Sequence, residues 1–130
     1  MLGAQLMVCA QGVIRDADTN QCTIVNVIES VVVPRLPFVL PSLCVFAVLE
    51  RGVRDLPSFE CSLRVRVNDK EVFGREIQVM FGTALRSRVI LYLEELPLEE
   101  IGVMQVRIVH GPTTIGAWDV PILRSVQETS

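Results

Sequence analysis

Apolar side chains recur at every second position through most of this chain, and no stretch of eleven or more residues carries a clean helical stripe. From Phe59 to Val67, Phe59, Cys61, Leu63, Val65 and Val67 alternate with Glu60, Ser62, Arg64 and Arg66. That pattern buries one face of a strand and wets the other, which implies antiparallel pairing. Asn68-Asp69-Lys70 has turn chemistry, and Glu71 to Phe81 returns with Phe73, Ile77, Val79 and Phe81 on the same parity. Arg75 also falls in an inward slot, so a bulge near Gly74 is expected to turn it outward.

The same reading places a first hairpin, Ala4 to Arg15 and Gln21 to Val33, about the turn Asp16 to Asn20, with Gly12 a bulge in its first strand. Pro34, Pro37 and Pro41 have no amide hydrogen to donate, so Pro34 to Pro41 is expected to be a crossing loop before a strand from Ser42 to Glu50. Arg86 to Glu94 turns Val89, Leu91 and Leu93 inward, and Leu96 to Glu100 reads as an irregular connector. Val103 to His110 and Thr113 to Leu123 close the chain as a hairpin about Gly111-Pro112. Their inward residues are predicted to be Met104, Val106 and Ile108, facing Trp118, Val120 and Ile122. The polar end from Ser125 to Ser130 is expected to fray.

Strands of this number and length, punctuated by turns, predict an all-β fold, a single antiparallel β-sandwich of seven to eight strands with Greek-key or immunoglobulin-like connections. A small closed β-barrel is the alternative, since closure removes edges. The 130 residues are enough for one core and too few for two. Half of them are apolar, which excludes intrinsic disorder.

Charge and cysteine usage narrow the function. A formal charge of -3 argues against a nucleic-acid partner, because phosphate affinity comes mostly from Lys and Arg. The longest charge-free apolar run, Leu36 to Leu49, is fourteen residues broken by Pro37 and Pro41, too short for a spanning helix. No membrane partner is expected. The first ten residues carry no Lys or Arg, so no secretory leader is read there, and a cytoplasmic location is expected. Cys9, Cys22, Cys44 and Cys61 include no Cys-x-x-Cys pair, so they are read as free thiols without zinc.

Candidate chemistry is thin. Asp16, Asp18 and Asn20 reproduce the opening of a calcium loop, but Gln21 and Val27 stand where such a loop needs Gly and a bidentate Glu, so an ordinary turn is expected. The single histidine, His110, sits beside Gly111 and Pro112 with no nucleophile signature. Glu94-Glu95 and Glu99-Glu100 read as solvated carboxylates rather than an acid-base pair. No catalytic residue, cofactor or metal is expected.

Two features remain. Among twelve basic residues only Lys70 is a lysine; of the eleven arginines, Arg64 and Arg66 share the wet face of one strand, where Arg75, Arg86 and Arg88 would join them if neighbouring strands pair. Leu43 to Leu49 is apolar on both parities, and Ile90 and Tyr92 stand opposite Val89, Leu91 and Leu93. Strands apolar on both faces need cover on both, which either the Pro34 to Pro41 loop or another chain must supply.

Ala4 to Ala10, Asp16 to Asn20, Pro34-Arg35-Leu36-Pro37 and Gly102 to Leu123 together give an Ala-rich first strand, an Asp-containing hairpin, a proline-rich segment and a Gly-bearing closing hairpin. In these elements the chain resembles a family of short bacterial proteins of unknown function. The resemblance implies a small β-sandwich and transfers no catalytic residue.

The expected function is therefore that of a non-enzymatic protein-protein interaction or accessory module, self-associating or bound to a protein partner through an apolar sheet face. The expected interface is Phe46, Val48, Ile90 and Tyr92, with Arg64 and Arg66. A small-ligand-binding sandwich is the alternative, and an enzyme built on His110 the second.

Overall fold

Alternation decides the architecture, and the computed structural model describes residues 1–125. The strands are β1 (Gly3–Arg15), β2 (Cys22–Val27), β3 (Val31–Val33), β4 (Phe38–Glu50), β5 (Ser58–Val67), β6 (Lys70–Met80), β7 (Arg86–Leu98), β8 (Gly102–His110) and β9 (Thr113–Arg124). They form a four-stranded sheet, β2-β1-β4-β7, and a five-stranded sheet, β3-β9-β8-β5-β6. The β-sandwich expectation holds, with nine strands instead of seven or eight. No helix among the described residues is long and apolar enough to cross a membrane.

The extra strand arises where Gln21 to Val33 divides. Asn26 takes a positive φ of 53°, and the Ile28 amide donates to the Cys9 carbonyl at 2.7 Å. The chain then crosses to the other sheet, where β3 runs parallel to β9 with Val31 opposite Ile122. That parallel pair departs from the all-antiparallel expectation. Beyond it the Ser125 amide donates to the Val33 carbonyl at 2.9 Å, so Ser125 is tied down; the rest of the expected frayed tail lies outside the described residues.

Proline interrupted less than expected. β4 begins at Phe38 and runs through Pro41, because the β1–β4 ladder ends at Ala10–Cys44 and leaves that side of β4 without a partner needing the missing amide. β7 likewise continues through Pro97 to Leu98, on an edge strand, so the expected connector at Leu96 to Glu100 is mostly strand. The tight turns follow their residue chemistry. Asn68 and Asp69, at φ 49° and 69°, make the two-residue turn between β5 and β6. Gly111, at φ 58°, opens the β8–β9 turn.

The core lies between the sheets and contains the predicted inward residues: Cys61, Leu63, Val65 and Val67 of β5, Met104, Val106 and Ile108 of β8, Val120 and Ile122 of β9, and Leu93 of β7. Facing them are Met7 and Cys9 of β1 with Leu43, Val45, Ala47 and Leu49 of β4. Burying one Leu- or Val-sized side chain is worth roughly 1.5–3 kcal/mol, so this set supplies the main drive to fold. Trp118 packs at its border and donates from Nε1 to the Ile28 carbonyl at 2.9 Å, fixing the crossover into β3.

Arg75 corrects one expectation. No bulge occurs at Gly74; the register shift lies between Val65 and Arg66, where Val72 is the additional residue. Arg75 stays opposite Leu63 on the core-side face and reaches solvent because β6 is an edge strand.

Candidate functional site

Phe46, Val48, Ile90 and Tyr92 lie together on the outer face of the four-stranded sheet, where Phe46 pairs with Ile90, Val48 with Arg88 and Cys44 with Tyr92. They are not all free. Phe46 is 5% exposed and Cys44 0%, whereas Tyr92 is 54% exposed. After Ala10, β1 leaves β4 and the β1–β2 hairpin reaches across to β7. The Tyr92 hydroxyl donates to the Val13 carbonyl at 3.4 Å, at the level of Cys44, and Arg88 Nη2 donates to the Asn20 carbonyl at 2.8 Å, at the level of Val48. These two contacts bracket Phe46, which stands between Cys44 and Val48 on the same face.

Arg64 and Arg66 lie on the outer face of the other sheet, so the six expected interface residues do not form one surface. Arg64 stands opposite Arg107 on β8, and Arg66 opposite Gln105. Each of the facing arginines has its own carboxylate: Arg64 pairs with Glu71 at 3.3 Å and Glu76 at 3.1 Å, and Arg107 with Asp119 at 2.7 Å. A β-carbon at Gly74 would stand 2.6 Å from Arg64 Nη1, so the absent side chain there seats the guanidinium. Arg86 and Arg88 belong to the other sheet, where Arg86 pairs with Glu50 at 3.1 Å. Arg107 is the member of this face that the alternation of Arg64 and Arg66 did not reveal, since it lies forty residues away on a strand paired across the sheet.

The sandwich is unsealed between β6 and β7. Each is the last strand of its sheet, and the two edges run side by side without pairing. At one end Ser87 Oγ donates to the Met80 carbonyl at 2.8 Å and draws them together. Beyond it a cleft of about 440 Å³ runs between Arg75–Met80 and Ser87–Leu91. Ile77, Val89 and Leu91, all core-facing in register, are only half-buried there. Arg75 lies among them, and no carboxylate is in ion-pair range of it among the described residues.

The end of the sandwich next to this cleft is organised by Arg51. This residue is 9% exposed, and its guanidinium donates to three backbone carbonyls: Nε to Ala84 at 2.9 Å, Nη1 to Asp55 at 2.9 Å and Nη2 to Gly82 at 3.2 Å. It also lies 5.7 Å from the Phe81 ring centroid. The β4–β5 and β6–β7 loops are thereby held as one unit. Asp55 Oδ2 accepts from the Gly52 amide and pairs with the Met1 amino group, and these contacts hold its carboxyl below the usual carboxylate range.

The remaining candidates have ordinary partners. Asp16 Oδ1 accepts from the amides of Asp18 and Thr19, which lowers its pKa and builds the hairpin turn. His110 Nδ1 bonds the Glu60 carbonyl at 3.0 Å, and its ring stands edge-on to Phe59. All four cysteines are free thiols. Burial pushes Cys9 up to about 12, with Cys44 nearby adding to the shift; burial also raises Cys44 and Cys61, the Tyr92 hydroxyl partly opposing it at Cys44.

Fold and surface together define an all-β sandwich whose two sheets are left unjoined along one side. The chain belongs to the family of unknown function DUF6941, which matches residues 5–122, in keeping with the resemblance read from its hairpins and proline segment. No curated protein matches it.

Proposed function

We propose that this chain is a non-catalytic protein-interaction module that receives an extended segment of another protein along the open β6–β7 side of the sandwich. The observation that carries the reading is the unsealed seam. Two long strand edges flank a cleft in which core-facing Ile77, Val89 and Leu91 are only partly buried. An unpaired edge offers a row of backbone donors and acceptors that an added strand satisfies, while alternate side chains set its specificity. Phe46, the centre of the sheet face favoured by the sequence, is buried, which supports the seam over that face as the reading. Four unpaired thiols favour a reducing, cytoplasmic setting.

The test is selection of displayed ten-residue peptides on the immobilised protein, followed by amide chemical-shift mapping with a selected peptide. Shifts concentrated on Arg75 to Gln78 and Val89 to Leu91 are the expected result. Failure to enrich any sequence, or shifts elsewhere, would overturn the reading.

A further inference from the structure

We infer that the segment received at this seam carries a carboxylate that pairs with Arg75, flanked two positions to either side by apolar residues, and that the occupant is a different protein and not a second copy of this chain. The inference rests on the interaction reading above. Arg75 is the one charged residue in the core-facing series Phe73, Arg75, Ile77, Val79, and it sits directly across from the fully buried Leu63. A strand added to the β6 edge places its own core-facing residues within about 5 Å, Cβ to Cβ, of that series. Opposite Arg75 such a strand must offer either a carboxylate or an uncompensated loss of water from the guanidinium. Opposite Phe73 and Ile77 it buries apolar surface.

The same geometry rejects self-pairing. An inward-facing charge on an edge strand penalises neutral or basic strands that approach it. Of the four strands that end the two sheets, β2 and β3 contain no Asp or Glu, and the core-facing residues of the other two are Phe73, Arg75, Ile77 and Val79 on β6 and Ser87, Val89, Leu91 and Leu93 on β7, none of them acidic. No edge strand of a second copy, added with its core face turned the same way, therefore offers Arg75 of the first a carboxylate. Arginine is suited to the task, because its fork meets a carboxylate bidentately even when partly desolvated.

Parallel selections of displayed ten-residue peptides on the wild-type protein, Arg75→Glu and Arg75→Gln distinguish the cases. The wild type should enrich a single Asp or Glu between apolar residues at plus and minus two. Arg75→Glu should enrich Lys or Arg at that same position, and Arg75→Gln should lose the preference. Replacing the selected acid by its amide should weaken binding to the wild type by about tenfold and leave binding to Arg75→Gln unchanged. Identical peptides from all three proteins, still mapping to the seam, would overturn the inference and leave the interaction reading standing. No enrichment on any of them would overturn both.

Discussion

Arg88 on the β7 edge donates from Nη2 to the backbone carbonyl of Asn20 at 2.8 Å, joining the two ends of the four-stranded sheet through its outer face. The β1–β2 hairpin is the strap, and what lies under it is apolar. Cys44 reports on it, being wholly buried on the strapped face. Arg88→Ala removes both charge-assisted contacts to Asn20, on its carbonyl and its Oδ1, and leaves the Tyr92 hydroxyl in place. Losing about 1 kcal/mol of closure should raise the modification rate of Cys44 by a small thiol reagent about fivefold, with Cys9 and Cys61 unchanged. Peptide mass mapping after timed labelling reads all three sites at once. An unaltered Cys44 rate would mean that something other than the strap protects it.

Arg75 guards an edge whose other inward residues are apolar. Arg75→Val restores an uninterrupted apolar series on β6, the condition under which exposed edges pair with each other. The variant is expected to fold and to gain mass with concentration in light scattering, whereas the parent keeps a mass independent of concentration over the same range. Were Arg75→Val to show no greater association than the parent, the guarding role would be refuted.

Local chemistry was legible and long-range cover was not. Period-two alternation located β5, β6, β8 and β9 nearly to the residue, because each has one dry and one wet face. It also placed Arg75 inward correctly, and the error lay in adding a bulge to avoid a charge there; an edge strand tolerates it without one. What alternation could not say is which segment covers a doubly apolar strand. Cys44 and Phe46 signalled a cover, but its identity depends on β1 leaving β4 after Ala10, a tertiary choice. The proline rule misjudged Pro41 and Pro97 for the same reason, since a missing amide matters only where a neighbouring strand would have used it.

Arg51 is the side chain whose loss should cost most near the seam. Its three carbonyl partners belong to two loops that are otherwise joined by the Arg51 amide to the Leu85 carbonyl and the Phe81 amide to the Pro57 carbonyl, and Arg51→Met would leave three part-buried acceptors short of donors. A destabilisation of about 2–4 kcal/mol is expected from denaturant unfolding, with Arg51→Lys recovering less than half because an ammonium cannot span three divergent carbonyls. Both variants should also increase amide exchange at Gly52 to Asp55 and Gly82 to Leu85. A Lys variant as stable as the parent would show that charge alone, and not the forked geometry, ties the loops.

Burial raises the thiols of Cys9, Cys44 and Cys61, so stability is expected to fall in alkali. Cys9 has an ordinary value near 9 in the unfolded chain and about 12 in the folded one, so the native state keeps a proton that the unfolded state releases. A group shifted in this sense contributes its full stability below pH 9 and loses it as pH rises toward 12, at up to about 1.4 kcal/mol per pH unit. Cys44 and Cys61 shift in the same direction and steepen the decline. Cys9→Ala lowers stability at neutral pH by removing buried volume, but its loss between pH 9.5 and 10.5 should be smaller than the parent's by about 1.2 kcal/mol. Urea unfolding under reducing conditions at those two pH values makes the comparison. Parallel declines in the two proteins would mean that the Cys9 proton is not linked to folding.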